Sequence, residues 1–166
     1  MGTANTMQIL SEAIGMSLSG SATIPAVSSL RCSIAKKAGN QILELIKKKI
    51  KPSHIITKES LENAIKLCLA IGGSTNAVLH IISIGKELGI EINLDMFDRL
   101  SRQIPLLVSV IPNGNNTIID LYEAGGVPAI ISQLKNHLDL NCMTVDGINL
   151  GKCIEGVKET FLLKDA

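Results

Sequence analysis

The segment from Asn76 to about Leu88 carries apolar side chains at Ala77, Val78, Leu79, Ile81, Ile82 and Ile84. Its length and flanks make it a helix. Gly72-Gly73 breaks the preceding element, Ser74 or Thr75 supplies the N-cap, and Gly89 closes the far end as a C′ residue. The helix has almost no polar face, and a helix of that kind belongs in the middle of a larger body. His80 sits on it, so the expectation for His80 is a buried neutral imidazole bonded to backbone. A catalytic base is the sharper alternative.

The core around that helix must be aliphatic. Hydrophobic residues make up 46% of the 166, yet the aromatic share is 2%, with two Phe, one Tyr and no Trp. Ile, Leu, Val, Ala and Met are left to fill it. The net charge of +1 gives no electrostatic case for nucleic acid or an anionic membrane. The aromatic platforms that stack single strands are missing too. No apolar run approaches the roughly 20 residues of a membrane helix, and the start lacks the basic-then-apolar pattern of a signal peptide. A cytoplasmic protein with no nucleic-acid or membrane partner is expected. Cys32, Cys68, Cys142 and Cys153 have no close pairwise spacing of a metal site. They read as free structural thiols in a reducing compartment, with disulfides the alternative.

Periodicity predicts a first helix from about Ala4 to Met16 and a loop over Ser17–Thr23. A long second helix, Ala26 to Lys49, follows, with Val27, Leu30, Ile34, Ala38, Ile42, Leu45 and Ile46 on its apolar stripe and Pro25 in its first turn. Lys47, Lys48 and Lys49 suit its C-terminal dipole and read as a solvated turn rather than a phosphate site. Thr57 caps a third helix whose buried face is Leu61, Ala64, Ile65, Cys68 and Leu69. A shorter helix runs from about Leu94 to Gln103, with Phe97 and Leu100 inward. Leu106 to Ile111, bounded by Pro105 and Pro112, reads as a strand covered on both faces. Helices follow at about 118–124 and 128–137, then a strand at Cys142–Val145 and a last helix near Leu150 to Lys158. The expected fold class is α/β: one helix-rich, three-layer α/β/α half-domain with a small parallel sheet, spanning 1–166.

Two segments offer chemistry. Gly72-Gly73-Ser74-Thr75-Asn76 joins two bending glycines to a helix N-terminus, where free N–H groups and hydroxyls could take a carboxylate or phosphate. Its bland reading is a helix break with an N-cap. No Walker lysine follows, so it is not a P-loop. Thr3-Ala4-Asn5-Thr6 is a polar cluster at a helix start. It is either an N-cap cluster or a set of hydrogen-bond donors to cofactor sulfides.

These segments and others resemble one family in order along the chain: the dehydratases that include dihydroxy-acid dehydratase and phosphogluconate dehydratase. Met1–Met7 resembles the family's cluster motif just after its cysteine. Gly15–Ser21 is similar to a family loop, with Ser19 where proline is usual. Gly72–His80 is a near-complete signature. Phe97-Asp98-Arg99 with Ile104–Leu107, Asp120–Ala129 and Leu140–Gly147 also match.

The resemblance implies removal of water from a 2,3-dihydroxy acid to give a 2-keto acid. It implies an iron–sulfur cluster, [2Fe–2S] in many members, with Mg2+ in the full-length enzyme, and a homodimer. A metal takes the charge of departing hydroxide, and a base takes the C2 proton. It places Thr3, Asn5 and Thr6 nearest the cluster and Gly73, Ser74, Thr75 and Asn76 near the substrate. It leaves no catalytic residue or metal ligand within this stretch, and no cluster role for the four cysteines. The expectation is an internal fragment of such an enzyme, inactive alone and without its own cofactor. The branched-chain pathway enzyme is favoured over a sugar-acid dehydratase. The rivals are a non-catalytic helical binding or scaffold module and a small-anion binding domain using Gly72–Asn76.

Overall fold

The computed structural model describes residues 1–157. In element order it contains α1 (Thr3–Ile14), α2 (Leu30–Lys47), α3 (Pro52–Ile55), α4 (Lys58–Ala70), α5 (Asn76–Glu87), α6 (Leu94–Ser101), α7 (Ile118–Glu123), α8 (Gly126–Gln133) and α9 (Leu150–Cys153). The helix-rich expectation holds. The parallel sheet does not: the described residues contain only two isolated bridges, Val110 with Asn116 and Met143 with Asn149.

The centre of the body is α4. Thr57 Oγ1 accepts from the Ser60 N–H at 3.3 Å, and Ser60 Oγ accepts from the Thr57 N–H at 2.9 Å, a reciprocal capping box. From that start Leu61, Ala64, Ile65 and Leu67 are fully buried, and each of the larger side chains contributes about 1.5–3 kcal/mol of burial. The helix packs on α1, α5 and α6. Besides the capping Ser60 it buries one polar side chain, Asn63, which is satisfied on both sides. Its Nδ2 donates to Asp139 O at 2.8 Å and its Oδ1 accepts from Asp139 N–H at 2.9 Å.

Helix α5 is therefore not the centre. Ala77, Ile81 and Gly85 form a narrow buried stripe, while Leu79 is 68% exposed and His80 is exposed. The expected burial of His80 is corrected on that observation. Gly85 is in the stripe because an added Cβ would lie 2.8 Å from Ile90 O. Ala77 and Gly85 bring α5 close to its neighbours along one line, Ile82 and Ile84 pack half-buried beside it, and the side that carries Leu79 and His80 is exposed.

Helix α2 departs from expectation in the same way. It begins at Leu30, after a turn closed by Ser28 N–H to Pro25 O at 3.0 Å. Of its expected apolar stripe only Leu45 is buried; Val27 is 97% exposed, and Leu30, Ile42 and Ile46 are exposed. Periodicity records which side chains share a face, not whether anything covers that face.

The two expected strands are irregular for a related reason. Leu107, Val108, Ser109 and Val110 are buried, as a covered strand would be. Their neighbour is the end of α4 rather than another strand: the Leu107 and Val108 N–H groups both point at Ala70 O, at 2.7 and 3.3 Å. A short apolar run signals burial without specifying sheet pairing. Cys142–Val145 enters a tight reversal, with Thr144 N–H donating to Ile148 O at 3.0 Å and Val145 N–H to Gly15 O at 2.7 Å. The last helix ends at Cys153, before the expected Lys158, and the chain beyond 157 lies outside the described residues. The short helix at Pro52–Ile55 had no counterpart in the sequence reading.

Candidate functional site

The two polar segments singled out in the sequence meet. Thr3 and Thr6 lie on the first turns of α1, and Ser74 and Asn76 lie at the start of α5, where the two helices pack. Thr3 Oγ1 and Ser74 Oγ are 3.0 Å apart across 71 residues of sequence. Asn76 Nδ2 donates to Thr3 Oγ1 at 2.9 Å. Asn76 N–H donates to Ser74 Oγ at 3.3 Å, so Ser74 rather than Thr75 supplies the capping side chain. Ser74 N–H donates to Thr6 Oγ1 at 3.1 Å, and that hydroxyl donates in turn to Gly2 O at 3.0 Å. Thr6 is fully buried.

Proton counting shows what this junction can still do. A hydroxyl has one hydrogen and two acceptor sites. If Thr3 donates to Ser74, the Ser74 oxygen receives two hydrogens and keeps its own. If Ser74 donates, the Thr3 oxygen receives two and keeps its own. Either way one hydroxyl hydrogen is left to donate outward. The first turn of α1 adds backbone donors, because Gly2 supplies no side-chain cap. The first N–H groups of any helix lack intrahelical partners and favour an anion.

Gly73 makes the meeting possible. A Cβ built there would lie 2.9 Å from Cys68 Sγ, 2.9 Å from Thr6 Cγ2 and 3.2 Å from Cys68 O. Burial pushes the Cys68 thiol up to about 11, so it stays protonated and serves as packing beneath the turn. Gly72 adopts φ +57, a left-handed conformation that suits glycine.

Two expected members stand apart. Asn5 is half-buried on α1 and takes no part in the network, since it sits about 200° around the helix from Thr3. Thr75 is exposed and makes no capping bond.

Along the other side of α1, a cleft of ≈ 860 Å³ opens between it and α2, with Ala4, Met7, Ser11, Leu18, Ile34 and Leu45 among its walls. One side of this cleft is the Ser17–Thr23 loop, and that loop is organised by a residue the sequence reading missed. Glu12 is 4% exposed, and its carboxylate accepts from the Gly20 N–H at 2.5 Å and the Ala22 N–H at 2.9 Å. Burial pushes its carboxyl up to about 7; the loop N–H groups pull the other way, and Asp146 adds a smaller upward push. Asp146 itself accepts from Ser19 N–H at 2.9 Å and pairs with Lys37 at 3.5 Å. The available signal for Glu12 was an acidic residue among Ile9, Ala13 and Ile14, just before two glycine-marked turns.

Residues 1–153 match the family model described as dihydroxy-acid/6-phosphogluconate dehydratase N-terminal. The chain belongs to this dehydratase family. It is 47% identical over 157 residues to the dihydroxy-acid dehydratase of Methanothermobacter thermautotrophicus, covering 94% of this chain and 29% of that protein. The dihydroxy-acid dehydratase of Acetivibrio thermocellus is 46% identical over 160 residues, covering 95% and 29%. That of Thermodesulfovibrio yellowstonii is 49% identical over 150 residues, covering 90% and 27%. The chain thus spans under a third of the length of these relatives.

No group of three or more His, Cys, Asp or Glu side chains fit to hold a metal ion occurs among the described residues. The four cysteines are free, with Cys68 and Cys142 buried. No helix among the described residues is long and apolar enough to cross a membrane.

Proposed function

We propose that this chain forms one wall of the active site of a dihydroxy-acid dehydratase, and that the junction of α1 and α5 binds the carboxylate end of a 2,3-dihydroxy acid. The observation that carries this reading is the convergence of Thr3 and Thr6 with Ser74 and Asn76 onto one hydrogen-bonded junction. Each segment alone is an ordinary helix start. Together they present one unspent hydroxyl hydrogen beside the uncapped first turn of α1, and such donors suit an anion.

The chain's own groups bind and orient. The Thr3–Ser74 pair donates to the substrate carboxylate, and the uncapped first amides of α1 would donate to an anionic group of the cofactor. Substrate held this way keeps one orientation while water is lost from C3 and the C2 proton is removed. An iron–sulfur cluster and Mg2+ complete the proposed whole enzyme, which works as a cytoplasmic homodimer. The dihydroxy-acid dehydratase names of the relatives support the branched-chain substrate over an aldonate.

The test is keto-acid formation by the protein that carries this chain at the length of its relatives. The double variant Thr3→Val with Ser74→Ala is expected to lower kcat/KM about tenfold to a hundredfold, the range for losing a hydrogen bond to a charged group. Either single variant should cost less, because the hydroxyl that remains no longer donates to its neighbour and keeps its own hydrogen for the substrate. An enzyme that dehydrates no 2,3-dihydroxy acid, or a double variant with wild-type kinetics, would refute the reading.

A further inference from the structure

The Gly72–Asn76 turn is gripped from behind by a residue that the junction itself does not include. Asn113 Nδ2 donates to Gly72 O at 2.6 Å. The contact is tight in both directions: a Cβ on Gly72 would lie 2.7 Å from that same nitrogen. Asn113 arrives at the end of the Leu106–Asn113 strap, which is already fastened to α4 through the two N–H groups on Ala70 O. The strap thus holds two carbonyls at the exit of α4, those of Ala70 and Gly72.

Downstream, the turn is fastened again where Ser74 N–H meets Thr6 Oγ1. The two fixings sit on the Gly72–Gly73 and Gly73–Ser74 peptides, joined through the Gly73 Cα, where glycine gives the widest backbone freedom. The first peptide has one further hold, the Gly73 N–H donating to Cys68 O at 2.9 Å. Releasing the Gly72 carbonyl would leave that peptide held on one side only, free to tilt about that bond and shift Ser74 away from Thr3. Asn113 is exposed, and no buried side chain depends on its amide.

We propose that Asn113 is a positioning residue for the carboxylate-binding turn, fixing the Gly72–Gly73 peptide so that Ser74 stays within reach of Thr3 and Asn76. The binding half of this statement rests on the carboxylate reading above; the positioning half does not.

Asn113→Ala removes the donor. Asn113→Asp keeps the shape and sets an oxygen against Gly72 O, so the pair separates loss of the bond from loss of packing. Amide hydrogen exchange on the 166-residue chain reads the positioning directly. The Ser74 N–H is expected to exchange about tenfold faster in both variants, while Leu61 and Ile65 at the centre of α4 keep wild-type protection. Titration with lactate, a simple 2-hydroxy acid, reads the binding. Its Kd is expected to rise about threefold to tenfold, with an unchanged melting temperature.

Unchanged Ser74 exchange in both variants overturns the proposal. So does saturable lactate binding that is equal in wild type and variants. Faster Ser74 exchange in a chain whose wild type binds no lactate supports the positioning role and removes the carboxylate reading instead.

Discussion

Gly73→Ala is the sharpest perturbation of the junction, because its cost comes from crowding and not from backbone strain. Gly73 lies outside the positive-φ glycines, so alanine can adopt its conformation. The added methyl, however, would lie 2.9 Å from Cys68 Sγ, 2.9 Å from Thr6 Cγ2 and 3.2 Å from Cys68 O. Ordinary van der Waals contact begins near 3.5 Å between carbons. The methyl must push back about half an ångström on two sides. Neither side gives easily: Thr6 is fully buried and doubly hydrogen-bonded, and Cys68 is buried within α4. Its carbonyl is backbone. Overpacking of this kind costs about 1–3 kcal/mol. For a chain of this size each kcal/mol moves the melting temperature by about 2–4 °C, so a fall of roughly 2–12 °C is expected.

Thermal melts followed by circular dichroism measure it. Companion variants isolate the cause. Thr6→Ser keeps the hydroxyl and deletes Cγ2, so Gly73→Ala should cost less in a Thr6→Ser background than alone, a non-additivity confined to touching residues. Cys68→Ala should relieve the other side in the same way. A Gly73→Ala protein that melts within about 1 °C of wild type would show that the turn has room, and would refute the argument that glycine is required for the two segments to meet.

Other consequences follow from the buried groups and the caps. Glu12 has its folded pKa raised from 4.5 to about 7, so its contribution is fully present below pH 4.5 and is lost as pH rises through 7, about 3 kcal/mol in all. Urea melts between pH 5 and pH 8 should show that loss, and Glu12→Gln should flatten it; a wild-type chain more stable at pH 8 than at pH 5 would contradict the assignment. Thr57→Ala removes the cap of the central helix and should cost about 1 kcal/mol by urea titration, whereas a loss under a few tenths would mean the capping box contributes nothing.

Where the sequence carried local chemistry, the structure followed it. Thr57 caps its helix in a reciprocal box as expected, and a cap is decided within four residues of chain. Gly89 and Gly125 take left-handed conformations where helix ends were read. What the sequence could not express was coverage. The stripes on α2 and α5 are real in register, yet Ile42, Ile46 and Leu79 are exposed, because burial depends on which element packs opposite. The same limit applies to Leu106–Ile111, whose apolar character predicts burial but cannot name its backbone partner. Nothing in Pro112-Asn113-Gly114 points to the Gly72 carbonyl, 41 residues from Asn113. The candidate site was legible as two separate segments; their contact needed α4 to carry one to the other.

That contact also has an electrostatic consequence. Each helix N-terminus carries roughly half a positive charge, and α1 and α5 bring two such ends side by side. Like ends repel, so the pairing costs energy unless something offsets it. Inside the chain the offset is partial. Ser74 oxygens receive the N–H groups of Asn76 and Ala77 at the start of α5, but α1 begins at Gly2 with no side-chain cap, and no acidic residue stands in the first turn of either helix. Evolution commonly places Asp or Glu at such positions, as at Asp95 of α6 and Asp120 of α7 in this same chain. A junction that lacks them retains its attraction for an anion from outside. The residues that do occupy it are neutral hydroxyls and an amide, which can hydrogen-bond a carboxylate without cancelling the field that draws it in.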